Sequence, residues 1–184
     1  KTDDIQVLAG AGGNGGGGLC CARHLMNHGF NVDVILTHSP EKLVRATKKQ
    51  LKILTESGLE PVKWNKKNQA VSDASILIDA LIGYGLEGSP RGKARSLIST
   101  CNKVEKNIIS LDVPSGLNST TGENPGIRIH PDRILTLALP KTGLSKEKNI
   151  VLADIGIPSA VFNRLKIPYE NPFTNSYWTK LEFH

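Results

Sequence analysis

Ile5-Gln-Val-Leu-Ala9, followed directly by Gly10-Ala-Gly-Gly-Asn-Gly-Gly-Gly-Gly18, is the stretch of sequence that predicts the fold. The first five residues are typical of a short buried β-strand, and the apolar spacing from Leu19 to His28 predicts a helix that Gly29 ends. A glycine-rich connection between them lets the backbone turn tightly and present N–H groups to an anion at a helix N-terminus. A bare tight turn is the alternative interpretation, because a glycine-saturated segment satisfies GxGxxG in many ways.

The rest of the chain alternates strands and helices. Ser39-Pro40-Glu41 predicts the start of a second helix, and Gly58 predicts its end. The remaining pattern predicts a helix over 93–104 and strands over 32–36, 61–64, 74–82, 108–113, 133–139 and 150–154. This alternation predicts an α/β fold, a three-layer αβα sandwich with a Rossmann-like, mostly parallel sheet, in one domain over residues 1–184. Ligands bind beyond the carboxyl ends of such strands, so one crevice is expected to collect the loops after Ala9, Ala80, Val113 and Leu139.

Composition excludes several classes of protein. The 184 residues contain no apolar run of about 18 and no secretion-signal pattern, so no membrane segment is predicted. Three cysteines, Cys20, Cys21 and Cys101, are an odd set with two adjacent members, which favours a reducing, cytoplasmic compartment over a disulfide framework. The net charge of +6 attracts phosphorylated ligands as readily as nucleic acid. No aromatic-rich basic strand is present, which disfavours nucleic acid as the partner.

Two familiar nucleotide-binding patterns are absent. A dinucleotide fingerprint usually has an acid near the end of the second strand, but here that strand ends Leu36-Thr37-His38 and Asp33 lies inside it. An ordinary NAD-dependent dehydrogenase is therefore disfavoured. Phosphate-loop nucleotidases are excluded because GxxxxGK[ST] does not occur.

Two acids follow apolar runs at predicted strand ends. Asp79 follows Ile76-Leu-Ile78, and Asp112 follows Ile108-Ile-Ser-Leu111. A buried carboxylate needs a hydrogen-bond partner or a cation, because an isolated buried charge is very costly. Two carboxylates at one edge of a sheet suggest different tasks, one binding a cation and one moving a proton or gripping a hydroxyl. The alternative is that each carboxylate accepts hydrogen bonds from neighbouring loop N–H groups.

The sequence resembles the YjeF amino-terminal domain family, the NAD(P)H-hydrate epimerases, over nearly its whole length. The matching segments are Val7–Asn14, Ala22–Leu25, Ile78–Gly85, Leu111–Asn118, Thr121–Glu123 and Leu139–Lys141. Several ordered motifs are more specific than any single one. The resemblance implies an isomerase that binds hydrated NADH or NADPH and interconverts the R and S forms of the damaged ring, for repair by a dehydratase.

The resemblance also implies roles for individual residues. Asn14, Asp79 and Ser115 are expected to hold a monovalent cation, usually potassium, and oxygen donors suit such a hard ion. Asp112 is the expected general acid/base. The residues expected to line the dinucleotide are Gly13, Asn14, Gly15, Gly16, Gly17, Gly83, Tyr84, Gly85, Leu86, Glu87, Gly88, Ser89 and Asp112.

One segment departs from the family pattern. The family usually reads Asn-Asn-Gly-Gly-Asp-Gly where this chain has Gly13-Asn-Gly-Gly-Gly-Gly18, so one amide and one carboxylate are replaced by glycine. A second hypothesis is therefore a noncatalytic nucleotide-binding or scaffold domain, because an RNA-decay scaffold protein of similar fold has lost the epimerase residues. A separate dehydratase is the expected functional partner, and a homodimer is the assembly considered.

Smaller candidates have competing interpretations. Cys20, His24 and His28 share one face of the first helix and suggest a soft-metal site, but no fourth ligand is evident, which favours an ordinary helix face. Lys141 either pairs with a phosphate of the dinucleotide or is simply solvated. The basic run from 42 to 49 is interpreted as a solvated face, with phosphate binding as the less favoured alternative.

Overall fold

The structure is a computed structural model that describes residues 4–64, 71 and 74–183. Within these residues the strands are β1 (Asp4–Ala9), β2 (Asn31–Leu36), β3 (Val62–Lys63), β4 (Ile76–Ala80), β5 (Asn107–Leu111), β6 (Arg133–Leu137), β7 (Ile150–Ala153) and β8 (Trp178–Leu181). The α-helices are α1 (Gly13–Asn27), α2 (Arg45–Glu56), α3 (Gly92–Cys101) and α4 (Ser159–Arg164), with short 3-10 helices at Pro40–Lys42 and Thr142–Leu144. None of these helices is long and apolar enough to cross a bilayer.

The described strands form one sheet in the order β3-β2-β1-β4-β5-β6-β7-β8. Neighbouring strands are parallel except β7 and β8, which are antiparallel. The predicted Rossmann-like, mostly parallel α/β fold is therefore confirmed. The order reverses direction between β1 and β4, and in sheets of this type the dinucleotide crosses the crevice at that reversal.

Alternating residues of the central strands pack on opposite faces of the sheet. Val7 and Ala9 belong to a core shared with α1 and α2, whereas Leu8 belongs to a core shared with α3. Leu19 of α1 is fully buried in the first core, as Leu97 of α3 is in the second. Strands covered on both faces present few side chains to water, so polar groups are concentrated at the carboxyl ends of the strands.

The second helix begins later than its sequence pattern predicts. Pro40–Lys42 forms only a 3-10 turn, and α2 starts at Arg45. The residues between are extended, because the Leu43 side chain is buried at 4% exposure and Val44 N–H donates to the Ala11 carbonyl at 3.0 Å. The prediction of one continuous helix from Ser39 was wrong, since tertiary contacts outweigh the capping signal there.

The two ends of the chain contain the other differences. Helix α1 begins at Gly13, six residues before the predicted start at Leu19, because glycine lowers the helix signal that sequence patterns provide. The sequence pattern predicts no helix or strand after residue 154, yet the tail contains α4 and the edge strand β8. Strand β8 pairs with β7, so that Ala153 lies opposite Trp178.

Candidate functional site at the sheet reversal

A cleft of about 630 Å³ lies at the carboxyl ends of β1 and β4, where the strand order reverses. Its walls come from the turn after β1, the end of β2, the loop after β4 and the start of α3. The lining residues are Ala11, Thr37, His38, Leu81, Ile82, Leu86, Glu87, Gly88, Ser89, Pro90, Arg91 and Ala94. The position fits a ligand site of an open α/β sheet, because the loops on either side of the reversal diverge there.

The turn after β1 is held by contacts with two other elements, β4 and α2. Gly10 N–H donates to the Ala80 carbonyl of β4 at 3.0 Å, and a Cβ on Gly10 would overlap the Leu81 backbone. From the other side, Thr47 of α2 donates its hydroxyl to the Gly12 carbonyl at 2.8 Å. The backbone of the turn therefore approaches β4 and α2 closely, which only glycine permits at residue 10.

The glycines that follow lie in helix α1, so the prediction of a glycine loop extending to Gly18 was wrong. Gly15, Gly16 and Gly18 are buried. A Cβ on Gly18 would lie 2.5 Å from the Ala80 Cβ, and one on Gly16 would lie 2.9 Å from the Thr47 hydroxyl. These glycines therefore bring the helix against the sheet and α2, which explains much of the glycine content without a ligand.

The exposed start of α1 keeps the capacity to bind an anion. Gly12 and Gly13 are exposed, and a side chain on either would have open space around it. The first backbone N–H that has an acceptor in the helix itself is that of Gly16, which donates to the Gly12 carbonyl at 3.2 Å. The N–H groups of residues 12–15 have no intrahelical acceptor, as at any helix N-terminus. Of the glycines expected to contact phosphate, Gly16 and Gly17 have their N–H groups inside the helix.

Asp79 is fully buried at the end of β4, where protein donors surround both carboxylate oxygens. Oδ1 accepts from the Ser115 hydroxyl at 2.5 Å and from Leu81 N–H at 3.2 Å. Oδ2 accepts from the Ser110 hydroxyl at 2.7 Å and from Ser115 N–H at 2.8 Å. Burial raises the pKa of this carboxyl above its ordinary value, while the hydrogen bonds oppose that rise.

The structure brings Asn14, Asp79 and Ser115 to the same short segment of backbone after β4. The Ser115 hydroxyl contacts Asp79 and accepts from Ile82 N–H at 2.8 Å. Asn14 packs on the next residue, since a Cβ on Gly83 would lie 3.0 Å from the Asn14 Cβ. The amide nitrogen of Asn14 is buried and has no hydrogen-bond partner in the described part of the chain.

Asp112 follows β5 and is 6% exposed. Its φ of 69° is in the left-handed region, which is uncommon for a residue with a side chain and is often found at functional sites. Oδ1 lies 2.5 Å from the Lys141 ammonium and accepts from Leu137 N–H at 3.3 Å. The bonds that Asp112 receives from described residues all reach Oδ1, so Oδ2 is available to a ligand.

Lys141 therefore forms an ion pair with Asp112, whereas the sequence interpretations were pairing with a phosphate or simple solvation. Its side chain is only 19% exposed, and its ammonium also donates to the Leu137 carbonyl at 2.5 Å. Asp112 does not line the cleft itself. Because Asp79 pairs with Ser110 across β4 and β5, Asp112 lies level with Leu81, which does line the cleft.

The loop from Gly83 to Ser89 divides into two parts. Leu86, Glu87, Gly88 and Ser89 line the cleft, whereas Tyr84 and Gly85 are exposed and do not. Tyr84 is 76% exposed, and its carbonyl accepts from the Ser119 hydroxyl at 3.2 Å. Ser110, which donates to Asp79, was not predicted as a site residue, because a serine inside an apolar strand carries no distinctive signal.

The face of α1 that was suggested as a soft-metal site also carries the positively charged side chain of Arg23. Arg23 places a guanidinium nitrogen 3.6 Å from the Cys20 sulfur and 3.4 Å from a His24 ring nitrogen. No group of three or more potential His, Cys, Asp or Glu ligands is found among the described residues. This geometry favours the ordinary helix face over a metal site.

Comparison with known proteins identifies the family. Residues 1–143 match the family described as YjeF-related protein N-terminus. This chain belongs to that family. A relative named NAD(P)H-hydrate epimerase, from Dehalogenimonas lykanthroporepellens, is 43% identical over 183 residues, which are 96% of this chain and 72% of the relative.

One further relative is longer than this chain, and another similar protein has a solved structure. A protein of Hyperthermus butylicus named bifunctional NAD(P)H-hydrate repair enzyme Nnr is 36% identical over 84% of this chain, which spans only 30% of that relative. The crystal structure of the yeast protein YNL200c superposes with a TM-score of 0.82 over 98% of this chain and 78% of the yeast chain, at 25% identity. The predicted family and fold are both confirmed.

Proposed function

We propose that this chain is an NAD(P)H-hydrate epimerase that interconverts the R and S forms of hydrated NADH and NADPH. The observation that carries the proposal is the Asp112–Lys141 pair, which follows β5, the strand next to β4, in a chain 43% identical to a protein of that name. A helix N-terminus with unpaired N–H groups lies beside the same cleft and suits a pyrophosphate. The site thus combines an anion-binding end with a proton-transfer group.

Asp112 is the residue to which we assign proton transfer. Inversion at a carbon that bears a hydroxyl requires its C–O bond to break and to re-form from the other face. The departing hydroxyl takes a proton from the Asp112 carboxyl and leaves as water, and the ring keeps the positive charge. Water then adds to the opposite face, and the proton that it loses returns to Asp112 through neighbouring water, so one carboxyl serves as acid and then as base.

Lys141 is a positioning residue in this scheme. Its ammonium lies 2.5 Å from Asp112 Oδ1, on the side away from the free Oδ2. The ion pair fixes the carboxylate orientation and balances its charge in a site with little exposure to water. The left-handed backbone at Asp112 is held by its N–H bond to the Leu135 carbonyl at 2.8 Å.

We also propose that Asn14, Asp79 and Ser115 hold a monovalent cation, potassium being the ion expected. The set has amide, carboxylate and hydroxyl oxygens, which such an ion takes, and a single formal negative charge, too little for a divalent ion. Because each Asp79 oxygen already accepts two hydrogen bonds, Asp79 would contribute mainly its charge. The position of Asn14 supports the assignment, because its side chain packs on Gly83, the residue after Ile82, whose N–H donates to Ser115. When bound, the ion would supply fixed positive charge beside the start of α1, while Ser115 and Asp79 order the backbone of residues 81–83.

The decisive experiment follows the interconversion of separated R and S hydrates by chromatography. The wild type should equilibrate them, and Asp112→Asn should abolish this while dinucleotide binding persists; Asp33→Asn, an exposed carboxylate on β2, is the matched control. A fully active Asp112→Asn variant would remove Asp112 from the mechanism. Dinucleotide binding by the wild type without any interconversion would instead favour the noncatalytic scaffold hypothesis.

Potassium dependence tests the cation proposal separately. At equal ionic strength, potassium chloride should raise the melting temperature of the wild type above its value in choline chloride, because binding to the folded state stabilises it. Asp79→Asn should remove the difference. A wild type indifferent to the two salts would refute the cation assignment.

A dehydratase acting on one of the two epimers is proposed as the functional partner.

A further inference from the structure

A second, smaller pocket of about 280 Å³ opens beside the reversal cleft, at the carboxyl ends of β2 and β3. Three lysines line it from elements far apart in sequence: Lys42 from the 3-10 helix, Lys63 from β3 and Lys93 from the first turn of α3. Thr37, His38 and Ser39 complete the lining. Three positive side chains therefore converge on one concave surface.

This pocket is continuous with the proposed dinucleotide site. Thr37 and His38 line both the pocket and the cleft. Thr37 N–H donates to the Ala9 carbonyl at 3.0 Å, which joins the end of β2 to the start of the glycine turn. A ligand whose pyrophosphate lies at the start of α1 therefore reaches the lysines by crossing one strand spacing, about 4.8 Å.

The charge of the pocket is largely uncompensated. None of the three lysines lies within 4 Å of a carboxylate in the described part of the chain. Glu41 is a counter-charge that interacts with one of them: the pKa of its exposed carboxyl is lowered by a hydrogen bond from Ser39 and, to a smaller extent, by Lys63. Burial and the neighbouring Lys42 and Lys93 lower the pKa of His38, which favours its neutral form. A bound anion would offset the repulsion among the ammonium groups.

The residues at the end of β2 distinguish two kinds of dinucleotide. In folds with this strand order, an acid there binds the 2′-hydroxyl of the adenosine ribose, whereas a basic group accommodates a 2′-phosphate. Asp33 is the acid of β2, but it is exposed in the middle of the strand and pairs in register with Gln6. The strand ends instead at Thr37 and His38, beside the three lysines.

We propose that Lys42, Lys63 and Lys93 bind the 2′-phosphate of the adenosine ribose, which makes the hydrate of NADPH the preferred substrate. The inference rests on the proposed function for the identity of the substrate. Phosphate binding by the lysine pocket can nevertheless be measured without catalysis. A phosphate monoester carries close to two negative charges near pH 7 and has three acceptor oxygens, which suits three ammonium donors around one concavity.

The test compares three forms of the whole chain: the wild type, a triple variant Lys42→Gln, Lys63→Gln, Lys93→Gln, and a control with the exposed Lys49, Lys103 and Lys148 changed to Gln. Both variants lose the same charge. Binding of NADP+ and NAD+ is measured by calorimetry, and kcat/KM is measured for both hydrates. The wild type should favour the phosphorylated form by about tenfold at low salt, as expected for three partly exposed ion pairs. Higher salt should reduce this ratio.

The outcomes separate the inference from the proposed function. The inference is supported if the ratio of NADP+ affinity to NAD+ affinity falls to about one in the triple pocket variant but is unchanged in the control. The NAD+ affinity itself should stay the same in both variants. Equal wild-type affinity for NADP+ and NAD+ overturns it, even if both hydrates are interconverted. Inorganic phosphate should weaken the binding of NADP+ more than that of NAD+ in the wild type, and this difference should disappear in the triple pocket variant. An equal effect on both dinucleotides in the wild type would refute the assignment to the ribose. If neither hydrate reacts but NADP+ is still favoured, the proposed function fails and the phosphate site remains.

Discussion

Replacing the adjacent glycines 17 and 18 of α1 by alanine should change stability in opposite directions. Both lie inside the helix, so each substitution gains the same intrinsic helix propensity, about 1 kcal/mol. The two differ in what the added methyl group meets. On Gly18 it would lie 2.5 Å from the Ala80 Cβ and 3.2 Å from Val7 Cγ1, whereas on Gly17 it meets only the Leu111 Cδ2 at 3.0 Å.

These contacts set the expected magnitudes. Ala80 is anchored in β4 and has no rotamer to change, so Gly18→Ala must move the helix from the sheet, at an overpacking cost of about 1–3 kcal/mol. The net result is a loss of up to about 2 kcal/mol after the propensity gain. The Leu111 methyl is the far end of a side chain that can rotate, so Gly17→Ala should gain a few tenths to about 1 kcal/mol.

Urea denaturation followed by far-ultraviolet circular dichroism measures both values. The midpoints of the two variants should move apart. The dependence of the free energy of unfolding on urea concentration should stay constant, because the surface exposed on unfolding does not change. If Gly18→Ala is as stable as Gly17→Ala, close packing is not the reason for glycine at residue 18. The reasoning from the buried helix would then be refuted.

Other predictions follow from the buried polar groups and the thiols. Asp79→Asn should destabilise the protein by about 1–3 kcal/mol at pH 7 relative to Asp33→Asn in urea denaturation, because either orientation of the amide opposes its N–H₂ to a donor such as Ser115 or Leu81 N–H. Lys141→Met should lower kcat for hydrate interconversion at least about tenfold with KM nearly unchanged, whereas exposed Lys146→Met should have no effect; an equal rise in KM would mean that Lys141 binds substrate instead. At pH 8 only Cys20 should react rapidly with a thiol reagent in the native state, because burial raises the pKa of Cys21 to about 11 and that of Cys101 to about 12. Rapid reaction of all three thiols without denaturant would contradict the burial of Cys101.

The strand pattern predicted the fold well because its signals are local. Apolar runs separated by turn residues located the parallel strands from β1 to β7, with errors of a few residues at their ends. The edge strand β8 was missed because Trp178–Leu181 alternates exposed and half-buried residues and lacks an apolar run. Its pairing with β7 stabilises it, and that partner is distant in sequence.

The glycine run shows how one composition supports two interpretations. Sequence patterns cannot distinguish a glycine that binds a ligand from one that packs against a neighbouring strand, because both require the absence of a side chain. The structure assigns Gly18 to packing against Ala80 and leaves Gly12 and Gly13 open. The Lys141 contact with Asp112 was equally inaccessible to sequence patterns, since it depends on how the chain turns after β6.

The lysine pocket and Asp112 lie at opposite ends of the proposed site, separated by the central strands of the sheet. The lysine pocket lies at the ends of β2 and β3, and Asp112 lies at the end of β5. Three strand intervals separate β2 from β5 in the order β2-β1-β4-β5, which is about 14 Å at the usual spacing of about 4.8 Å. A ligand that contacts both ends must therefore extend across the start of α1, with anionic groups at its middle. Two linked nucleotides meet that requirement, whereas a single ring and its phosphate engage one end at a time.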